Sequence, residues 1–531
     1  MDNCFIQKYQ PDVTGILSGW DRLLFRGTLR ALAVTSGMMN YLSHMGVLLK
    51  DFGSFVERSS ERLKSSCMEA ARKLGRPIQY LPSSQTSKEE VAAGIAQADG
   101  ITEGMIGLLT CVEPCMTYSI RRDPARKKLV LEPALRKCLH IYHYFMDRDF
   151  GLMHARIQTW FPFSIHICLN GRSWLARQMD RQGMKYVQAD NCFLRLDDVA
   201  GAQQIMDGLL CWDWPEYLGR LASQVNPVLA EILAGYRLEY YWSAYESEWA
   251  TDVMFRSPSS LAAIYPALAR GAITAFGSSN VLRFLGKKPH GNIQAEVTSD
   301  YRRRIEGLRV KHSVGSNSVK MYDKQGSVLR VETTINDPRD MKVYRSREGD
   351  SGGQLSWQRM RKGVVDLRRR AEVSHGCNER YYNALGTLDT STPLRELIAP
   401  ITRPTTKAGN RIRGLRPWAG EDLIILREIN RAEYLLNGFR NRDLAAALYP
   451  SATPEDKQRN SSRVSQRLRL LRAHHLIRKL PHTHRYQAMS AKDGWSLNRL
   501  FSNALQLLDL SIDQVCGVSG ASGIRTSILS R

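Results

Sequence analysis

Long apolar runs are missing from this chain. No stretch approaches the roughly 20 consecutive apolar residues that a bilayer-spanning helix needs, so no membrane partner is expected. The opening MDNCFIQKYQPDVTG has no basic region followed by an apolar core, so it does not read as a secretory signal. The expected place is the cytoplasm, in association with the nucleoid. Paired cysteines are missing as well. The ten Cys are scattered; only Cys111 and Cys115 stand close, and no second pair completes a zinc site. Reduced structural thiols are the expectation. Internal repeats and long low-complexity tracts are also absent.

What is present in excess is positive charge. The chain has 75 Lys+Arg against 52 Asp+Glu, a net charge of +23. Residues 301–370 hold 18 basic and 8 acidic side chains, net +10, and residues 401–490 hold 18 and 7, net +11. Two windows therefore carry nearly all the excess. A local concentration of this kind suits a polyanion, and each window could supply several salt-sensitive phosphate contacts.

The length of 531 residues implies several domains. The expected fold class is α+β: a mixed strand-and-helix N-terminal and central region followed by a C-terminal winged-helix domain. The divisions are 1–115 (N-terminal α/β), 116–290 (α+β with an antiparallel sheet), 291–397 (basic β-hairpin sheet plus basic helices), 398–420 (linker), 421–490 (the C-terminal module) and 491–531 (helix and tail). Residues 15–75 read as mostly helical, with the helix DFGSFVERSSERLKSSCMEAARKLG ending at Gly75. Ser87 with Glu90 reads as a capping box. Strands follow in MIGLLTCVEP, CMTYSI, KKLVLEP, CLHIYHYF, LMHARIQTW and FSIHICLNG. The segment 398–420, with three Pro and three Gly, reads as the linker.

Beyond it, EDLIILREINRAEYLL, RDLAAALYP and the segment from Ser461 read as three helices, the second and third joined by the polar loop SATPEDKQRN; Ile477 to Leu480, the polar tip PHTH and the strand return HTHRYQAM then read as a hairpin, the wing. Val464, Leu468, Leu471 and Leu476 form an inward stripe that leaves the arginines outside. This order resembles a winged helix-turn-helix domain. The resemblance implies DNA binding through the third helix and the wing, with Ser461, Ser462, Arg463, Gln466, Arg467 and Arg469 on the helix and Lys479, His482 and Arg485 on the wing.

The segment NSVKMYDKQGSVLRVETTIN (317–336) reads as a hairpin. A three-residue connection, Gln325–Gly326–Ser327, separates polar from apolar side chains best. It puts Lys320, Tyr322, Lys324, Arg330 and Glu332 on one face. A phenol, a carboxylate and cations together suit phosphodiester chemistry. The pattern KMYDK…LRVETTI resembles the strand pair of rolling-circle plasmid replication initiators and related relaxases. By that resemblance Tyr322 is the nicking nucleophile, Glu332 a metal-binding or catalytic acid, and Lys324 and Arg330 phosphate contacts. Mg²⁺ or Mn²⁺ is the implied cofactor, and His166, in SIHICLNG, is the weaker candidate ligand. A different metal site could form from Asp21, Glu246, Glu248, Glu296 and Asp300 if two or three of them converge.

The functional expectation is a DNA-binding protein of mobile-element or plasmid type: a replication initiator or transposase that nicks a strand of duplex or single-stranded DNA. A non-catalytic winged-helix regulator is the alternative, and RNA binding a further one.

Overall fold

The computed structural model describes residues 4–488 apart from 126, 288–296, 305–306, 348–352, 389–398, 408, 418–419, 430–433, 435–437, 451–455 and 482. His482, Glu296 and the segment 491–531 lie outside the described residues. Helix and strand are mixed throughout, as an α+β chain requires, and no helix among the described residues is long and apolar enough to cross a membrane.

The chain forms two compact units, each discontinuous in sequence. The larger takes residues 12–256 and 327–378, the smaller residues 1–11, 257–326 and 379–531. The divisions drawn from sequence at 115/116 and 290/291 do not hold. The first cuts the middle of a 20-residue strand, Gly104–Asp123. That strand runs through Pro114, which suits an edge position because proline has no N–H to give a neighbour; its short parallel partner pairs only with Leu108–Thr110.

In the larger unit the strands are β1 (Val13–Thr28), β2 (Ile78–Tyr80), β3 (Gly104–Asp123), β4 (Lys128–Asp147), β5 (Gly151–Gln158), β6 (Ile165–Asn170), β7 (Tyr186–Ala189), β8 (Cys192–Leu196) and β9 (Tyr241–Phe255). The smaller unit supplies β10 (Val297–Arg304), β11 (Gly307–Val314) and β12 (Asn317–Lys324). The larger resumes with β13 (Val328–Ile335), β14 (Lys342–Arg345) and β15 (Ser356–Arg359). Its main sheet has the order β13-β9-β1-β6-β5-β4-β3-β2. All pairings are antiparallel except β2–β3.

β1 corrects the reading of 15–75 as mostly helical. Its sequence VTGILSGWDRLLFRGT buries both faces at its centre and alternates only toward its end, which hides the period-2 signal of a strand. Helices appear after it, at Thr35–His44 and Phe52–Lys73. One face of the sheet is apolar: Leu23, Phe25, Met153, Ile157, Ile165 and Ile167 share a core with side chains such as Phe55, Leu63, Trp214 and Tyr217. On β5 and β6 the alternate residues His154, Arg156, His166 and Cys168 are half-buried, the other side of the same pleat.

In the smaller unit, helix Pro258–Ala275 carries Pro266 within it, and His312 on β11 reaches Tyr381 Oη (Nε2 at 3.2 Å). Among the described residues, the C-terminal part of this unit beyond Gly420 has the helices Gly420–Ile429, Asn441–Leu448 and Asp456–Ala473, then an antiparallel pair, Ile477–Lys479 with Tyr486–Ala488. Val464, Leu468, Leu471 and Leu476 are all in its core. The third helix begins at Asp456, inside the segment read as a polar loop. The linker is corrected too. Thr405–Lys407 pairs with Asn410–Ile412, and Ile401 and Leu415 are buried in the same core as the helices. Gly409, with φ of 77°, turns the chain between the two short strands.

Candidate metal centre

The site is built on three neighbouring antiparallel strands of the larger unit. β13 and β9 run in the register Arg330↔Asp252, Glu332↔Ala250 and Thr334↔Glu248. β9 and β1 run as Asp252↔Leu17, Ala250↔Gly19 and Glu248↔Arg22. Side chains two apart share a face, so Arg330, Glu332, Asp252 and Glu248 point the same way. Gly19, opposite Ala250, has no Cβ, and the Met206 side chain packs into that space.

Asp21 enters through an irregularity. The pairing Trp20↔Trp249 is followed by Arg22↔Glu248, which leaves Asp21 as an extra residue on β1. A bulge of this kind re-aims a side chain. It is held by close packing: a Cβ on Gly171 would come within 2.2 Å of the Trp20 carbonyl oxygen. The result is that one carboxylate oxygen each from Asp21, Glu248 and Glu332 lies within 4.8 Å of the others. Asp21 and Glu332 are buried and Glu248 is half-buried.

A polar frame fixes this group. Arg330 donates from Nε and Nη2 to the two oxygens of Asp252 (2.6 and 2.8 Å) and from Nη1 to Asp21 Oδ2 (3.1 Å). Its Nη2 also reaches the Asn191 carbonyl at 2.7 Å. Asn191, beside the β7–β8 turn, donates its amide to both oxygens of Asp21, each at 2.9 Å. Arg172, fully buried, meets Asp252 at 3.1 Å and the Ala250 carbonyl at 3.0 Å. Its Nε and Nη1 have no hydrogen-bond partner, and neither has the buried Asn191 Oδ1. Thr334 Oγ1 donates to Glu248 Oε1 at 3.4 Å.

The electrostatics fit a cation. Burial drives the Asp21 pKa above its ordinary value, Arg330 and Arg172 oppose that, and Glu332 and Asp252 add to it. The two guanidiniums offset only part of the burial cost of the Asp21 carboxylate. Three hard oxygen donors, short of positive charge, match the preference of Mg²⁺ or Mn²⁺.

The sequence-derived residues divide. Glu332 is in the cluster. Arg330 is beside it, but with a side chain 0% exposed and committed to carboxylates it is a buried strut, which corrects its assignment as a phosphate contact. The polar half of β13 is therefore no solvated face, since all eight residues of that strand are buried. His166 is not among the cluster's ligands. It sits on β6, its Nδ1 2.9 Å from Arg156 Nη2, with burial and then the charges of Arg156 and Arg26 pushing its pKa down to about 3. Of the further acids, Asp21 and Glu248 converge, while Glu246 pairs with Arg22 at 3.6 Å. Tyr322 (half-buried) and Lys324 (buried) lie on β12 in the other unit. The connection Gln325–Gly326–Ser327 has the expected length, with φ of 56° at Gln325 and 76° at Gly326.

Sequence reasoning missed Asp252, Arg172 and Asn191. The turn signal of QADNC was the only trace of Asn191. In the C-terminal module, Arg469, Ser462 and Gln466 are exposed. Arg467 is bound to Glu421 (2.8 Å) and Asp422 (3.1 Å) and Arg463 lies 3.7 Å from Glu421. Ser461 exchanges hydrogen bonds with Asn441. Lys479 is exposed and Arg485 half-buried at the strand pair. No protein-family model matches this chain, and no curated protein or solved structure matches it either.

Proposed function

We propose that this chain is a metal-dependent DNA-processing enzyme that breaks a phosphodiester bond at the Asp21–Glu248–Glu332 cluster. The convergence of three carboxylates from three adjacent strands carries the reading. Mg²⁺ or Mn²⁺ held there would stabilise negative charge on a phosphoryl oxygen. Arg330 and Asn191 orient Asp21, and Arg172 with Arg330 holds Asp252 in place beside the cluster. The C-terminal three helices and strand pair act as a winged-helix reader of duplex DNA, with Arg469 and Lys479 as exposed basic residues. Strand nicking of the replication-initiator or transposase type is the proposed chemistry, with Tyr322 named as nucleophile by the KMYDK resemblance alone.

Incubation with supercoiled and single-stranded DNA in Mg²⁺ or Mn²⁺ tests it. Cleavage should disappear in Glu332→Gln and Asp21→Asn. A covalent DNA adduct that disappears in Tyr322→Phe assigns the attack to tyrosine; cleavage that survives in that variant assigns it to water. Absence of cleavage with salt-sensitive duplex binding intact sinks the enzyme reading. It would leave a winged-helix regulator, which the exposed basic positions of the C-terminal module favour as the second reading.

A further inference from the structure

The first basic window contains a feature that the carboxylate cluster does not use. Strands β14 and β15 make a separate antiparallel ribbon in the register Lys342↔Arg359, Val343↔Gln358, Tyr344↔Trp357 and Arg345↔Ser356. Its two faces differ completely. On the inner one, Val343 joins Met341, Met360 and Ile335 in a small apolar core, and Arg345 binds the buried Asp366 at 2.8 Å. The alternate positions Lys342, Tyr344, Trp357 and Arg359 form the outer face.

That outer face leaves two large aromatics in water. Tyr344 is 55% exposed and Trp357 58%. Their rings meet across the ribbon with centroids 5.5 Å apart and planes inclined at 58°. The Arg369 guanidinium lies 5.9 Å from the Trp357 ring, and its Nε donates to the Lys342 carbonyl at 3.2 Å, bracing the platform. Lys342 and Arg359 are exposed on either side. Residues 341–370 hold nine Lys+Arg and three Asp+Glu. The register puts Tyr344 and Trp357 on the face opposite Val343, and so outward rather than into the small core that Val343 joins.

We infer that the β14–β15 ribbon is a binding platform for single-stranded polynucleotide, with bases stacking on Tyr344 and Trp357 and phosphates meeting Lys342 and Arg359. An unpaired strand offers free base faces next to a phosphate chain, the pattern that an aromatic pair between cations complements; in a duplex the faces are already stacked on one another. Stacking is tolerant of sequence, so the platform holds a strand without reading it. The inference rests on the nucleic-acid reading above for its setting only, and the geometry stands without the metal cluster.

The test measures fluorescence anisotropy of labelled oligo-dT, oligo-U and a duplex of equal length, with the full chain in the Glu332→Gln background and EDTA present. Tyr344→Ala and Trp357→Ala should each weaken single-strand binding by about tenfold or more, while Trp357→Phe retains most of it. Lys342→Ala or Arg359→Ala should each lower the salt slope by about one phosphate contact. The dT and U arms distinguish DNA from RNA. Unchanged single-strand affinity in both aromatic variants overturns the platform. So does an equal loss for duplex, or Trp357-dependent binding to anionic phospholipid vesicles with no oligonucleotide binding. Loss of cleavage by the wild-type chain with aromatic-dependent binding intact removes the enzyme reading and leaves the platform standing. The residues are exposed, so a circular dichroism spectrum equal to wild type is expected for each variant.

Discussion

Arg330 on β13 stands directly opposite Asp252 on β9 and grips both of its oxygens, at 2.6 and 2.8 Å. The same guanidinium reaches Asp21 on the next strand but one. A single buried cation thus fixes two of the three strands that supply the carboxylate cluster and braces the third.

Removing that cation should therefore be costly. Arg330→Met leaves Asp252 and Asp21 buried beside each other with less compensation, and breaking a buried pair from one side costs about 3–5 kcal/mol. Urea denaturation should show the midpoint falling by a corresponding amount. A variant as stable as wild type would mean that the frame does not hold the strands.

Asp21 should give the fold a distinctive pH dependence. Its folded pKa is raised above the ordinary value of 3.8, chiefly by burial, so the folded state binds that proton more tightly than the unfolded state. The resulting contribution is present at low pH and is lost as pH rises from about 3.8 through the folded pKa. Carboxylates with lowered pKa, such as Asp337 at about 2, where hydrogen bonds from Arg339 lead, work in the opposite direction. Comparison of melting temperature against pH for wild type and Asp21→Asn isolates the effect: the variant should gain relative stability as pH rises. Added Mg²⁺ or Mn²⁺ should narrow the difference by stabilising wild type alone.

The bulge that aims Asp21 depends on Gly171. Gly171→Ala would push a methyl group into the Trp20 carbonyl, an overpacking that costs about 1–3 kcal/mol. Weaker metal-induced stabilisation should accompany it, because the displaced backbone is the one that carries Asp21. Normal metal response in a destabilised Gly171→Ala protein would separate the packing from the site.

Arginines of the third C-terminal helix should not behave alike. Arg467→Ala breaks the contacts to Glu421 and Asp422 and should lower the thermal stability of the module. Arg469→Ala should leave stability unchanged and weaken duplex binding uniformly across sequences, with a salt slope reduced by about one. The reverse pattern would remove this helix as the DNA-facing element.

Much of the architecture was legible in the residues. Ser87 accepts from the Glu90 backbone N–H at 3.3 Å, as its position before a helical run requires, and the stripe from Val464 to Leu476 is buried as its spacing requires. The site was legible only in pieces. Asp21, Glu248 and Glu332 each drew notice as acids, but no local pattern ties residues 21, 248 and 332 together. Arg330 read as a surface cation because an alternating strand normally has a wet side; that expectation fails where helices and neighbouring loops cover both faces.

By itself the sequence determined the two basic windows, the three-residue connection at Gln325–Ser327, the lack of any membrane-spanning helix among the described residues and the order of the C-terminal elements. These follow from composition, turn residues and local periodicity. Only the tertiary structure decided that β1 is a strand, that a one-residue bulge turns Asp21 toward Glu248 and Glu332, and that Tyr344 and Trp357 face outward. The first two depend on pairing between segments far apart in the chain and the third on the register of one short ribbon, and a register shift of one residue would send these side chains to the opposite face.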